Sequence, residues 1–355
     1  MPPDRDPAFE RRLDELRREA RTNGQVNGRG VDIAGSPLPT ARVKAGPKNG
    51  HVRDLSQVTQ SGSGKPGYFG MPVLKAPVWT WEVPLYFFVG GLTGMAAVIA
   101  IAALAGHHWE VTRAAMWIAA AGGVISPVLL ILDLGRPLLF FNMLRIFKPQ
   151  SAMSMGVYIL TPFGMTSIPG AIAWEILMRH WFADHGAVVA LLGIVAIGLI
   201  VVAGLSGMLL ATYTGVLIGA TAVPAWFTHR SLLPLHFGTA GLGSAAGLLT
   251  LLGYHLPALT TIFWVTVGIE TFLWLWLMFR RHGAADRALH EGIGGRLLMP
   301  AEILSGPLSL ALVSFGLAPW AAVTFMLGSL LSRFGWIRAG KESAHDPEAV
   351  FASQR

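Results

Sequence analysis

The chain has 355 residues, of which 53% are A, V, I, L, M, F, W, Y or C and only 13% are charged, roughly half the charged share of an ordinary soluble domain. It has no cysteine, which excludes disulfides, thiolate nucleophiles, Cys-ligated zinc and any iron–sulfur cluster held by this chain. The net charge of +7 sits in tails and in loops flanking apolar runs, the pattern of a membrane protein rather than a nucleic-acid binder.

Residues 1–76 read as a polar, largely extended N-terminal arm. A charged helix is predicted over residues 6–21, and residues 22–67 are rich in Gly, Pro, Asn and Ser, with too few apolar residues for a core. No secretory signal is expected, because no apolar stretch follows the N-terminal charges.

A transmembrane helical domain is predicted over 77–338. Eight apolar runs of about membrane-spanning length follow one another: 82–106, 113–133, 153–178, 187–222, 231–252, 257–280, 302–318 and 319–338. The fourth exceeds one upright crossing, so it is expected to tilt, kink or overhang. The seventh is short and carries Pro307, which raises the alternative of one bent hairpin formed by runs seven and eight. Residues 339–355 read as a polar C-terminal tail.

An even number of crossings puts both termini on one side. Loops on that side carry Arg136, Arg145, Lys148, Arg230, Arg280, Arg281, Arg287 and Arg296, whereas the opposite loops carry Arg113 and Arg179. Lys and Arg resist translocation, so the basic side is expected to be cytoplasmic.

Ionisable residues inside spans are costly and are functional candidates by default. Glu82 opens span 1, Asp133 ends span 2, Glu175 lies near the outer end of span 3, His236 is in span 5, Glu270 is near the middle of span 6, and Glu302 opens span 7. Tyr86 and Tyr213 place hydroxyls near the basic side of spans 1 and 4. Glu82 and Tyr86, four residues apart, share a helix face. Carboxyls and hydroxyls at this depth suit a quinone ring, donating to its carbonyl oxygens and passing protons while apolar surroundings hold its tail. Plainer roles fit the same residues: Glu82 and Asp133 as wet interfacial carboxylates, Tyr86 as part of an aromatic belt, and Asp133 with Arg136 as a turn-fixing pair. Glu270 must be protonated, paired or hydrated, and is assigned to a proton pathway with Glu175, Glu302 and His236. Only His236 among the histidines lies well inside a span, so bis-histidine haem is not expected.

DLGRP (133–137), SAMSMG (151–156), YTG (213–215), PAW (224–226) and the first span WEVPLYFFVGGLTGMAA (81–97) together resemble the NrfD-like membrane subunits of polysulfide reductase-type complexes. The resemblance covers roughly residues 78–338. It implies an all-α integral membrane fold of about eight helices in two four-helix bundles, without haem and without a metal held by this chain. It also implies a quinone site (menaquinone or ubiquinone) on the face where a ferredoxin-like four-cluster iron–sulfur subunit docks, with substrate chemistry on a molybdenum or other metal centre in a further catalytic subunit. The family's quinone-contacting positions map to Glu82, Tyr86 and Tyr213, with Asp133 and Arg136 in support. Tyr86 stands where the family can have His, and SAMS replaces an SPMS-type run. Many family complexes carry their catalytic subunits outside the cytoplasm, whereas the charges here put the docking face inside. The resulting expectation is a quinone-reactive subunit of a bacterial plasma-membrane oxidoreductase. Proton translocation is open, and the rivals are an ion-coupled transporter and a passive anchor.

Overall fold

The computed structural model describes residues 74–75, 77–134, 144–145, 147–279 and 283–353. The N-terminal arm, Arg136 with most of the DLGRP turn, Arg280 and Arg281 lie outside the described residues.

Eight helices are long and apolar enough to cross a membrane. They are span 1 (Glu82–Ala105), span 2 (Trp109–Asp133), span 3 (Ala152–Met178), span 4 (Gly186–Gly219), span 5 (Leu232–Leu251), span 6 (Pro257–Phe279), span 7 (Gly292–Ser314) and span 8 (Ala318–His345). Helical pairing within each segment answers the lack of water in hydrocarbon, with Pro127, Pro162, Pro169, Pro300 and Pro307 interrupting the ladder in spans 2, 3 and 7. Spans 1–4 pack as one four-helix bundle and spans 5–8 as a second. Span 1 lies against spans 5 and 8, and span 4 against span 5, which joins the two. Span 4 is a single unbroken helix of 34 residues, about 51 Å at the α-helical rise, so its excess over the bilayer is taken up by tilt or overhang. It exposes Leu191 and Ile194 at 65% and 71%, a surface suited to lipid.

Small residues set the helix spacing. A Cβ on Gly94 of span 1 would run into the carbonyl oxygen of Gly207 of span 4, and one on Gly241 of span 5 would come within 2.7 Å of Gly91 O. Without a hydrophobic drive between helices in lipid, such close backbone approach is what van der Waals packing needs.

Spans 7 and 8 are separate helices, not one bent hairpin, and their limits differ from the sequence expectation. Span 7 begins at Gly292, ten residues before the expected run, because its first turns (GIGGRLLMPA) are helical despite their glycines, Pro300 and Arg296, the last of which is exposed. Glu302 therefore lies ten residues inside the helix, not at its mouth, and Arg296 is helical rather than in a loop. The helix then widens into one π-turn at Leu304–Leu308 before resuming at Ser309–Ser314. Pro307 accounts for this: its ring would clash with a carbonyl four residues back, and it has no N–H to donate. Ser309 Oγ donates to the Leu304 carbonyl at 2.6 Å. Span 2 begins at Trp109, which brings Arg113 into a helix. Span 8 continues to His345, and Pro347–Ser353 forms a further short helix.

On the face of the span 1 N-terminus and the span 8 C-terminus lie two loop helices, Pro224–Thr228 and Ala284–His290. They are linked by His229 Nε2 and Asp286 Oδ1 at 3.5 Å. Arg287 ties the second to the C-terminal segment through Glu348 (2.9 Å) and Asp346 (3.4 Å).

Replacing Gly94 by Val should destabilise the folded protein by about 2–3 kcal/mol or more, because backbone must move to admit the side chain. Gly198→Val on span 4, where nothing lies within 4 Å, should be close to neutral. Thermal unfolding in detergent measures the difference, and equal stability of the two variants would count against the packing.

Candidate functional site

Two groups of polar side chains form within the helices. The first sits where span 1 begins. Thr80 Oγ1 hydrogen-bonds Glu82 Oε2 and, at 3.0 Å, Asp133 Oδ1, and the Thr80 backbone N–H also points to Asp133 (3.4 Å). One hydroxyl has a single hydrogen, so it bridges two carboxyls and donates to one at a time. Lys341 of span 8 donates to the Trp79 carbonyl and lies close enough to Asp133 to feel its charge. Trp79 stacks on Trp226 (5.4 Å between centroids, 15° between planes), and Trp226 Nε1 donates to Trp336 O at 2.7 Å. The chain entering span 1 is thus clamped over the end of the second bundle.

One turn deeper, Tyr86 is buried to 2% and Tyr213 to 8%, and the two phenols interact electrostatically. Tyr213 rests against Gly156, the last residue of SAMSMG: a Cβ there would lie 2.6 Å from Tyr213 Cε1. The Tyr213 hydroxyl is buried, with the Gly156 backbone N–H the nearest donor to its oxygen, and its own hydrogen finds no acceptor among the described residues. A buried O–H left unpaired is costly, which marks it as a group able to donate to a guest.

The second group lies inside spans 5–8. His236 Nδ1 contacts Glu270 Oε2 at 2.7 Å, and His236 Nε2 lies 2.9 Å from Ser332 Oγ. Ser332 Oγ donates to Glu302 Oε1 at 2.8 Å, and Thr239 Oγ1 reaches Glu270 Oε1. Arg333, 1% exposed, interacts with both carboxylates, donates from Nη2 to Phe237 O at 3.0 Å and lies 3.7 Å over the Phe237 ring, a cation–π contact. Glu270 and Glu302 are 0% and 2% exposed.

Charge and hydrogen counting fix what this group holds. With the one Ser332 hydrogen given to Glu302, His236 Nε2 carries a hydrogen toward Ser332, so a proton lies in the short contact between Nδ1 and Glu270. Whether it rides on the imidazole or on the carboxyl, the four groups sum to zero with Arg333 charged. A neutral total is what a low-dielectric interior permits. The arrangement is a neutral cluster with one shared, movable proton. His236, Glu270 and Glu302 also bring three donor atoms within 4.8 Å of one another, a spacing that suits a metal ion. The adjacent guanidinium opposes a second cation there.

Of the residues picked out from sequence, His236, Glu270 and Glu302 come together in one cluster. Glu82 and Asp133 meet through Thr80, and Tyr86 meets Tyr213. Glu175 stands apart from both groups. It is gripped by Arg113 (2.6 and 3.1 Å), Arg179 (2.6 Å) and Trp117 (3.1 Å) at the far end of spans 2 and 3. Arg333, Ser332, Thr239, Thr80 and Lys341 were not evident from sequence. Arg333 did carry a signal, an ionisable residue inside an apolar run, but near a span end that reads as a snorkelling flank.

Arg333→Met should cost about 3–5 kcal/mol, because it strands a net negative charge in the bundle. Adding Glu302→Gln removes that charge and should recover part of the loss. Unfolding of the single and double variants in detergent tests this. A double variant no more stable than the single would refute charge compensation.

Residues 71–279, more than half of the chain, match the family described as Polysulphide reductase, NrfD. The match takes in Glu82, Tyr86, Asp133, Tyr213, His236 and Glu270 and ends before Glu302, Ser332 and Arg333. The C subunit of polysulfide reductase from Wolinella succinogenes is 28% identical over 181 residues, covering 47% of this sequence and 55% of that protein; the sequence thus spans about half the length of the curated relative it matches. This membrane protein, with eight candidate spans among its described residues, belongs to the family described as Polysulphide reductase, NrfD.

Proposed function

We propose that this chain is the quinone-reactive membrane subunit of a multisubunit oxidoreductase in the bacterial plasma membrane, with both termini cytoplasmic. The observation that carries the proposal is the buried Tyr213 hydroxyl, whose hydrogen has no acceptor among the described residues, near Tyr86 and one turn below the Thr80-bridged pair Glu82–Asp133. Phenol hydroxyls would orient a quinone by donating to its carbonyl oxygens. The carboxyl pair, open to the basic face, would supply and receive the two protons that accompany two-electron reduction or oxidation. Arg136 belongs to this set by sequence. The family membership supports the same assignment.

This chain has no cysteine with which to hold a cluster, and its internal histidine is engaged on both nitrogens. Electrons would therefore come from an iron–sulfur partner subunit, with substrate chemistry on a molybdenum or other metal centre in a third subunit. The His236–Glu270–Glu302 cluster would handle protons within the second bundle and couple the quinone reaction to proton translocation.

The π-turn next to Glu302 favours a second reading, a proton-coupled transporter, since transporters build their ion sites at interrupted helices. Purification of the full chain in mild detergent, with mass spectrometry of what accompanies it and extraction of bound quinone, separates the two. An iron–sulfur protein and a quinone support the redox reading, whereas a solitary, quinone-free chain favours transport. In the assembled complex, Tyr213→Phe and Glu82→Gln should each weaken quinone binding or turnover by roughly three- to tenfold, the worth of one hydrogen bond. Glu110→Gln, exposed at the other face, should leave it unchanged. Unaltered quinone kinetics in both site variants would refute the assignment.

A further inference from the structure

Among the polar atoms of the second bundle that are buried without a hydrogen-bond partner in the described residues, four lie together: Glu302 Oε2, Trp274 Nε1, and both ring nitrogens of His290. All three side chains line one small pocket of about 20 Å³, lined also by Leu277, Met278, Leu289, Leu298 and Met299. An unpaired buried carboxyl oxygen, indole N–H and imidazole each cost stability. Together they supply the partners one water molecule needs, and the volume admits about one. The cavity also has a direction. Glu302 lies ten residues inside span 7, whereas His290 ends the loop helix Ala284–His290 on the basic face.

We propose that this cavity holds a water molecule bound by Glu302, Trp274 and His290, and that His290 is the group through which the buried cluster exchanges its proton with the basic face. The proposal rests on the proton-handling part of the function proposed above. Trp274 Nε1–H can only donate, so it fixes the water oxygen and leaves both water hydrogens for acceptors. Before transfer the inner His290 nitrogen carries the ring hydrogen and also donates to the water oxygen, while a water hydrogen points to Glu302 Oε2. For inward transfer, an opening of the loop helix on the basic face admits a proton to the outer nitrogen of His290, which is buried in the closed state, and the inner nitrogen gives its hydrogen to the water. The water passes one of its own to Glu302 Oε2. Water is regenerated, the imidazole returns neutral as its other tautomer and resets by exchanging its proton, and no electron moves. From Glu302 the contacts continue through the Ser332 hydroxyl to His236 and Glu270 at 2.8, 2.9 and 2.7 Å, and inward passage along them requires the Ser332 hydrogen to turn toward His236 Nε2 after that nitrogen has given up its own. His290 thus acts as a positioning and relay residue rather than a catalytic one.

The test uses the full-length chain in detergent, transferred into D2O and followed by infrared spectroscopy. Carboxyl and imidazole bands of the cluster are assigned by their loss in Glu302→Gln and His236→Gln. His290→Leu removes the relay at similar volume, and Met299→Phe fills the cavity while keeping His290. Both should slow hydrogen–deuterium exchange of the cluster bands by roughly tenfold or more, the scale of a lost positioned proton carrier, with unfolding temperatures close to that of the unsubstituted chain. Exchange as fast as in the unsubstituted chain in Met299→Phe overturns the water site. Slowing there but not in a folded His290→Leu overturns the role of His290. If His290→Leu does not fold, Met299→Phe still decides the route. Neither quinone nor partner is present in this assay, so its failure is distinct from failure of the quinone reading.

Discussion

A guanidinium buried to 1% exposure in span 8 must find its compensating charge inside the protein, because hydrocarbon supplies neither counter-ion nor hydrogen bond. Arg333 finds it in the field of two carboxylates from different helices, neither at ion-pair distance, together with the carbonyl and ring of Phe237, while its Nε and Nη1 find no hydrogen-bond partner among the described residues. The remaining members follow from it. Two carboxyls against one fixed positive charge leave room for one proton, His236 is placed to share it, and Ser332, next in sequence to Arg333, links the imidazole to the farther acid. Spans 5, 6, 7 and 8 each contribute at least one side chain, so the charge balance of one residue fixes the mutual arrangement of a whole bundle. The first bundle has no such centre. It is held by glycine contacts between spans 1, 4 and 5 and keeps its ionisable groups at its ends.

Backbone geometry makes the cluster reachable. Gly306, inside the π-turn, lets span 7 approach span 6, where an added Cβ would come within 3.1 Å of Thr271 Cα. Gly328 does the same between spans 7 and 8, where an added Cβ would lie 2.6 Å from Ala301 O. Glu302 lies just before the widened turn, brought against span 8 by this close packing. A residue added to one turn also shifts the phase of all that follow by about 100°, so the two halves of span 7 present different faces of their sequence to the same core. Ser309 can then both bond Leu304 and meet Thr324 of span 8 at 2.9 Å.

Much of this was legible in the sequence. Apolar runs of spanning length gave eight crossings, and the ionisable residues inside them gave His236 and Glu270 directly. What failed to show did so for identifiable reasons. The first turns of span 7 interrupt Ile293, Leu297, Leu298 and Met299 with glycines, an arginine and a proline, so the apolar run is broken there and Glu302 read as a residue at the membrane surface. Arg333 lies near the end of its run, where a long basic side chain ordinarily reaches out to water. Thr80, Ser332 and Thr239 are small hydroxyls that carry no hydropathy signal and matter only through what faces them in three dimensions. Glu175 looked like His236 and Glu270 in sequence, and only its arginine neighbours on span 2 and at the end of its own helix set it apart. Lys341 falls where composition reads as tail, although the helix continues through it.

That continuation ties the two polar groups together mechanically. Arg333 and Lys341 ride on the same unbroken helix, eight residues or about 12 Å apart. The first is anchored in the buried cluster. The second grips the carbonyl of Trp79, one residue before the threonine that bridges Glu82 and Asp133. Span 8 is therefore a rigid strut with one end in the proton-bearing interior and the other under the first turn of span 1. It cannot slide along its own axis at one end without carrying the other with it.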